Sequence, residues 1–233
     1  MKESLAKLGT DQAKTYFLHS PDPDTTLEET LEAIQELYKA GKFIKFGISN
    51  FNAEELQQLY DLSSSKGYVL PTVFQGNYSP IARHAQETLS PLLHKLHMSF
   101  YVYSPLAGGF LAKSTEQFQR DIKGRWDKHS EVGKLYNGLY NKPHLVAALT
   151  KWGEIAEKVE CTRAALAYRW VLHHSAVRAE NGDRMIIGVS EVEQVRQTLD
   201  CLRDGPLPAE VLPAIEEIWE TVKHEAPLDN YHG

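Results

Sequence analysis

Five short apolar runs in this chain end in groups that can hydrogen-bond. The ends read Phe17-Leu18-His19, Gly47-Ile48-Ser49-Asn50, Val73-Phe74-Gln75-Gly76-Asn77, Tyr103-Ser104-Pro105-Leu106-Ala107-Gly108-Gly109 and Ile187-Gly188-Val189-Ser190. If the runs are parallel strands, their C-terminal ends lie on one side of the sheet, where α/β folds bind ligands. Taken singly, each has a plainer reading: Ser-Asn before a helix is an N-cap, and a Gln closing a strand is solvated. Together they describe a ring of ligand-binding groups. The familiar catalytic signatures are missing: there is no GxGxxG, no GxxxxGK[ST], no HExxH, and Gly47-Ile48-Ser49 lacks the second glycine of a nucleophile elbow. His94 with His97, and His173 with His174, have no carboxylate or third histidine beside them in the sequence, so helix-end histidines favoured by the macrodipole explain them better than metal ligands.

The elements that must position these groups follow from periodicity. Strand-like runs fall at Thr15–Leu18, Phe43–Ile48, Thr72–Gln75, Phe100–Tyr103 and Met185–Val189. Helical patterns lie between and after them. One is opened by Thr25 or Thr26 with a glutamate three residues on, carries Leu27, Leu31, Ile34 and Leu37, and closes at Gly41. A second opens at Asn52 with Glu55 and stops at Gly67; a third carries Leu89, Leu92, Leu93 and Leu96. Later helices start near Pro143, Thr162, Glu191 and Pro208. The first four strands start at near-even intervals with one helix in each gap, the rhythm of βαβ crossovers, so the class is α/β with a parallel sheet. Ser104 to Lys142 breaks that rhythm, and connections of such length are commonly functional or mobile.

Composition narrows the partners. The chain has 233 residues, 42% hydrophobic and 24% charged, which is ordinary for a globular protein and poor for a disordered one. A net charge of −6 without a basic block leaves no nucleic-acid footprint. No apolar run approaches the ~18 residues of a membrane span, and the N-terminus has no signal-peptide core, so the expected compartment is cytoplasmic. Cys161 and Cys201 are the only cysteines, with no CxxC, and are expected to be buried free thiols.

In order along the chain, Tyr16-Phe17-Leu18-His19-Ser20-Pro21-Asp22, Gly41-Lys42-Phe43 leading to Gly47-Ile48-Ser49-Asn50-Phe51, Pro71-Thr72-Val73-Phe74-Gln75-Gly76-Asn77-Tyr78, Tyr103-Ser104-Pro105-Leu106-Ala107-Gly108-Gly109 and Ile187-Gly188-Val189-Ser190 resemble the aldo-keto reductases. The match is closest to their aflatoxin-aldehyde reductase branch. The resemblance implies a (β/α)8 TIM barrel, here a partial barrel of five parallel strands with helices, corresponding to the family's C-terminal part. Residues 1–233 are then one reductase domain lacking the first three βα units. It also implies hydride transfer between NADPH and an aldehyde or ketone, a small-molecule carbonyl substrate.

Residue by residue, the resemblance makes His19 the histidine that hydrogen-bonds the substrate carbonyl. Ser49, Asn50 and Gln75 match the groups that hold the nicotinamide carboxamide, whose donor and acceptor call for amide or hydroxyl partners. Tyr103 stacks on the nicotinamide, while Ser104, Leu106, Gly108 and Gly109 lie where backbone N–H groups approach the pyrophosphate. Arg125 matches a phosphate-contacting arginine; Gly188 and Ser190 lead to a helix start for the 2′-phosphate, and Gln194, Gln197 and Thr198 follow towards the adenine. The aspartate, tyrosine and lysine that complete the family's catalytic tetrad have no counterpart, leaving His19 alone of the four. Leu135 and Gly138 stand where the branch holds anionic substrates, the tail Asp229-Asn230-Tyr231-His232-Gly233 replaces its C-terminal arginine, and Lys14 and Thr198 depart from its usual residues.

Two further readings stay open beside the reductase: a non-catalytic, reductase-derived nucleotide-binding or regulatory protein, and an incomplete gene product. Five strands cannot close an eight-stranded barrel, so Thr15–Leu18 and Met185–Val189 are expected to present open edges and to drive self-association.

Overall fold

A computed structural model of the chain describes residues 1–120 and 124–232. Helix α1 (Lys2–Leu8) ends at Gly9, whose φ of 66° is the left-handed cap that glycine takes without a Cβ penalty. Strand β1 (Ala13–Leu18) follows. Helix α2 (Leu27–Lys39) starts where the Thr26 hydroxyl accepts the Glu29 N–H, and α3 (Ala53–Ser65) starts at a reciprocal capping box between Asn52 and Glu55. Between them lies β2 (Phe43–Ser49), and β3 (Pro71–Asn77) comes after. The third helical pattern is broken into α4 (His84–Thr88) and α5 (Ser90–Lys95), with Pro91 in the first turn of α5 where it forfeits no helical hydrogen bond. Strand β4 (Ser99–Tyr103) precedes a 3-10 segment at Ala107–Ala112, then α6 (Thr115–Gln119), a 3-10 turn at Gly124–Trp126 and α7 (Glu131–Tyr140). Then come α8 (Pro143–Lys158), α9 (Arg163–His173), β5 (Arg184–Met185), α10 (Val192–Arg203) and α11 (Leu212–Val222).

Five parallel strands alternate with helices in the order β1-β2-β3-β4-β5, an α/β fold consistent with part of a (β/α)8 barrel. The register runs from Ala13 opposite Phe43 to Leu18 opposite Ile48, and on the other side of β2 Ser49 lies opposite Gln75. Gly47 is required at its position: a Cβ there would sit 2.4 Å from the Phe17 ring, which lies across β2.

Three expectations need correction. The fifth strand is two residues long, Arg184–Met185, and not Met185–Val189; Ile186 adds one N–H bond of 2.8 Å to the Val102 carbonyl before the chain leaves the ladder. An apolar run alone does not make a strand when only one neighbour is there to pair with it. The two cysteines are half-buried, not buried. The segment Ser104–Lys142, read as a long connection, contains two α-helices and two 3-10 turns.

The chain divides into two compact units, Met1–Gly76 with Thr88–Tyr101, and Asn77–Glu87 with Val102–Gly233. The first packs α2 and α3 through Leu31, Ile34, Leu56 and Leu59 over Phe43, Phe46, Ile48, Val73 and Phe74, all essentially inaccessible. Phe43 is its aromatic hub, 5.5 Å from Tyr16 and 5.6 Å from Tyr38. The second packs α8, α9 and α11 through Leu145, Leu149, Trp152, Leu166, Trp170, Ile215 and Trp219. Buried Arg83 is wedged in that core, its guanidinium 4.1 Å from the Trp170 ring centre and bonded to both Glu216 carboxylate oxygens at 2.6 and 2.7 Å. Among the described residues no helix is long and apolar enough to cross a membrane.

Candidate functional site

In the first unit the candidate residues gather where β1, β2 and β3 end. Asn50, directly after β2, has a φ of 58°, a conformation asparagine tolerates better than most residues. That turn aims its amide at β1, where Nδ2 donates to the His19 carbonyl at 2.8 Å. The bond ties the His19 backbone to the β2–α3 turn and leaves the exposed His19 ring directed by a fixed main chain. Ser49 is 1% exposed, and among the described residues its hydroxyl has no hydrogen-bond partner. A buried hydroxyl without a partner costs ~1–3 kcal/mol; Ser63 and Ser79 are buried in the same state, and what sets Ser49 apart is its place at the strand ends beside Asn50 and opposite Gln75. Gln75, half-buried and in register with Ser49 on β3, is the nearest side-chain amide that the strand pairing supplies. Ser49, Asn50 and Gln75 therefore fit an amide-bearing ligand such as a nicotinamide. Beside this turn a cleft of about 280 Å³ is lined by Leu18, Ser20, Asp22, Phe51 and Glu55; its lining includes both chain neighbours of His19 but not His19 itself.

In the second unit the backbone after β4 is unusual. Ser104, Ala107, Gly108 and Gly109 all have positive φ, at 56°, 51°, 67° and 91°. Leu106, with a φ of −98°, is followed by three consecutive left-handed residues, and a step from right- to left-handed backbone of this kind can turn neighbouring N–H groups towards one side, a concavity suited to anionic oxygens. Leu106 organises the turn, its carbonyl accepting the N–H groups of Gly109 and Leu111 at 3.0 and 3.2 Å. Gly108 is held from outside: a Cβ on it would lie 2.1 Å from Tyr136 Cε1, and its carbonyl accepts the Trp126 indole N–H at 3.1 Å. Arg125 is exposed, with its guanidinium 5.2 Å from the Tyr136 ring centre, so Tyr136 bridges the glycine turn and the candidate phosphate-binding arginine. Phe110, Phe118, Trp126, Tyr136 and Tyr140 pack edge-on and stacked at centroid distances from 4.9 to 6.4 Å.

Tyr103 is set at the end of β4, and burial, with the Asp229 carboxylate next in effect, pushes its phenol far above the usual range. The backbone of Asn230 hydrogen-bonds to it. This tail contact carries no sequence signal, because it joins residues far apart in the chain; Tyr136 had one, since Tyr136 and Tyr140 recur at helical spacing on α7.

The remaining candidates lie at the start of α10. Gly188 and Ser190 are exposed, and the Ser190 N–H and hydroxyl both donate to Gln194 Oε1, at 3.0 and 3.3 Å. Gln197 is exposed. Thr198 is turned inward: it is 6% exposed and its hydroxyl donates to the Gln194 carbonyl at 2.7 Å.

Residues 1–220 match the model of the aldo/keto reductase family. The chain is 42% identical to oxidoreductase sirO of Leptosphaeria maculans, over 97% of this chain and 68% of that protein. It is 40% identical to an aldo-keto reductase of Pseudocercospora fijiensis, over 96% of this chain and 76% of the relative. With aflatoxin B1 aldehyde reductase member 2 of Homo sapiens it shares 36% identity, over 97% of this chain and 65% of the human protein.

Proposed function

The chain belongs to the aldo/keto reductase family, and from that premise we propose that it binds NADPH and serves the reduction of an aldehyde or ketone. The observation that carries this reading is the buried, unpartnered Ser49 hydroxyl, in register with Gln75 and followed by Asn50. These three side chains offer hydroxyl and amide groups that orient a carboxamide and so fix which face of its ring is presented. Bound NADPH supplies the hydride. His19 donates a ring N–H to the substrate carbonyl, a role supported by the bond from Asn50 that holds its main chain at the end of β1. In the turn from Ser104 to Gly109 the Ala107 and Gly109 N–H groups are bonded to the Ser104 and Leu106 carbonyls, so the Gly108 N–H is the donor offered to the pyrophosphate. Arg125 supplies the cation for the 2′-phosphate, with Ser190 at the start of α10; Glu191 and Glu193 there make the arginine the greater part of that preference.

An alkoxide formed at the substrate needs a proton, and four of the tyrosines are poor sources of one. Burial raises the phenols of Tyr78, Tyr103, Tyr140 and Tyr168, the opposite of what a general acid working near neutrality requires. That observation favours the second reading, a non-catalytic, reductase-derived polypeptide that keeps the nucleotide but not the turnover. The compartment is read as cytoplasmic, the substrate as a small carbonyl compound and residues 1–233 as one reductase domain.

The test is reduction of 4-nitrobenzaldehyde by the purified chain with NADPH. Turnover well below the ~1 to 10³ s⁻¹ usual for enzymes, reduced further by His19→Ala, is the expected result. Turnover within that range shows that another group supplies the proton and ends the second reading. Turnover indifferent to His19→Ala removes His19 from the reaction.

A further inference from the structure

Away from the residues above, the second unit brings two imidazoles and a carboxylate together from opposite ends of its sequence. His144 stands at the second position of α8, and His224 and Glu225 follow α11. One ligand atom from each, a ring nitrogen of either histidine and a carboxylate oxygen of Glu225, all lie within 4.8 Å of one another. The carboxylate is anchored: Oε2 accepts the N–H groups of His144 and Leu145 at 2.9 and 3.3 Å, capping α8 from a distant part of the chain. Its other oxygen, Oε1, is 2.8 Å from His144 Nδ1. The two rings meet edge to face with centroids 4.6 Å apart. Lys223, next to His224, pairs with Glu220 at 2.6 Å, and Lys142 spends its ammonium on the Glu225 carbonyl at 2.9 Å and not on the carboxylate.

We propose that His144, His224 and Glu225 bind a borderline divalent cation of the zinc class, which pins the segment after α11 to the first turn of α8. Two nitrogens and one oxygen suit zinc, nickel or copper better than calcium or magnesium, which want oxygen. Metal bonds of ~2.0–2.2 Å set ligand atoms roughly 3.3 Å apart around a tetrahedron, so a swing of the exposed His224 ring closes the present spacing. Glu225 keeps its backbone bonds through Oε2 while Oε1 turns from His144 Nδ1 to the metal, and His144 binds through Nδ1 as the neutral tautomer that carries its hydrogen on Nε2, any second ring proton passing to solvent. The backbone bonds hold the carboxylate in place before the ion arrives, which lowers the ordering cost of binding. A fourth position remains for water, because both histidines face solvent. The segment thereby fixed leads within a few residues to Asp229 and Asn230, whose contact with Tyr103 is already described.

The test is calorimetric titration of the full chain with zinc chloride, repeated with His224→Ala and with the double variant His144→Ala/His224→Ala. His224 makes the cleaner single change, since it leaves the helix-capping bonds of Glu225 untouched. The expected result is one tight equivalent of zinc in the parent protein, weakened by more than about tenfold in His224→Ala and absent in the double variant. Zinc is also expected to raise the thermal midpoint of the parent and not that of the double variant. Equal binding by all three proteins assigns the zinc to other histidines and overturns the proposal, as does a parent protein that shows no equivalent tighter than millimolar.

Discussion

The turn after β2 and the segment from Ser104 to Tyr140 both carry candidate cofactor contacts, and they are built by opposite means. The first is a local construction. Ser49 is placed by strand register, Asn50 by a left-handed turn and Asn52 by a capping box three residues long. The second depends on contacts across the segment: Gly108 can hold its backbone conformation because Tyr136 and Trp126 close over it, and those residues belong to other turns of the chain. A site made from neighbours in sequence fails one bond at a time, whereas a site made from a shared aromatic cluster fails as a whole.

The sharpest way to break that comparison is Trp126→Ala. It removes a buried ring touching Phe110, Phe118, Tyr136 and Tyr140, together with the indole bond to Gly108. Denaturant unfolding should show a loss of about 3–5 kcal/mol; a loss below about 1 kcal/mol, the value of a single local cap, would make the two regions equivalent. Next in size, Gly108→Ala places a methyl group into the Tyr136 ring at a positive φ and is expected to cost about 2–4 kcal/mol in the same measurement. In the first region, Asn52→Ala removes one half of the capping box and should cost about 1 kcal/mol.

The difference also decides what the sequence disclosed. Helices α2 and α3 were legible because Thr26 and Asn52, with a glutamate three residues later, are start signals written within one turn. The strand ends were legible as hydrogen-bonding groups, and Ser49 opposite Gln75 is a consequence of parallel pairing. The helices of Ser104–Lys142 were not read: Thr115–Gln119 is too short to show a period, while α7 carried its signal in Ser130 as N-cap and in the spacing of Tyr136 and Tyr140, which went unread. Strand β5 was read too long for the converse reason: Ile186 makes one last bond to Val102, and Ile187 to Val189 look like a strand but lie outside the described ladder. The tail at Tyr103 and the His144, His224 and Glu225 cluster join distant parts of the chain, which no local pattern encodes.

The smallest expected effect concerns pH and lies again in the second unit. Burial, with the charges of His173 and Arg169, holds the His174 imidazole below its ordinary value of 6.5, and its Nε2 accepts the Leu207 N–H at 2.8 Å. The unfolded chain therefore takes up this proton more readily than the folded one. Stability is full above the ordinary value and falls as the pH drops below it towards the lower folded value. Urea midpoints measured at about pH 7.5 and about pH 5.5 should differ more for the parent than for His174→Gln, whose amide oxygen can accept the same N–H without titrating.

The central claim is that this chain itself carries the contacts for NADPH in both kinds of region. Its four tryptophans make the direct measurement possible, and Trp126 adjoins both Arg125 and Gly108. Quenching of their fluorescence is titrated with NADPH and with NADH, for the parent protein, Gln75→Ala and Arg125→Ala. The account predicts saturable quenching by NADPH at concentrations about tenfold or more below those needed with NADH, a weaker response to both nucleotides in Gln75→Ala, and loss of the NADPH preference alone in Arg125→Ala. No saturation with either nucleotide, or saturation by both at equal concentrations in every variant, would contradict it.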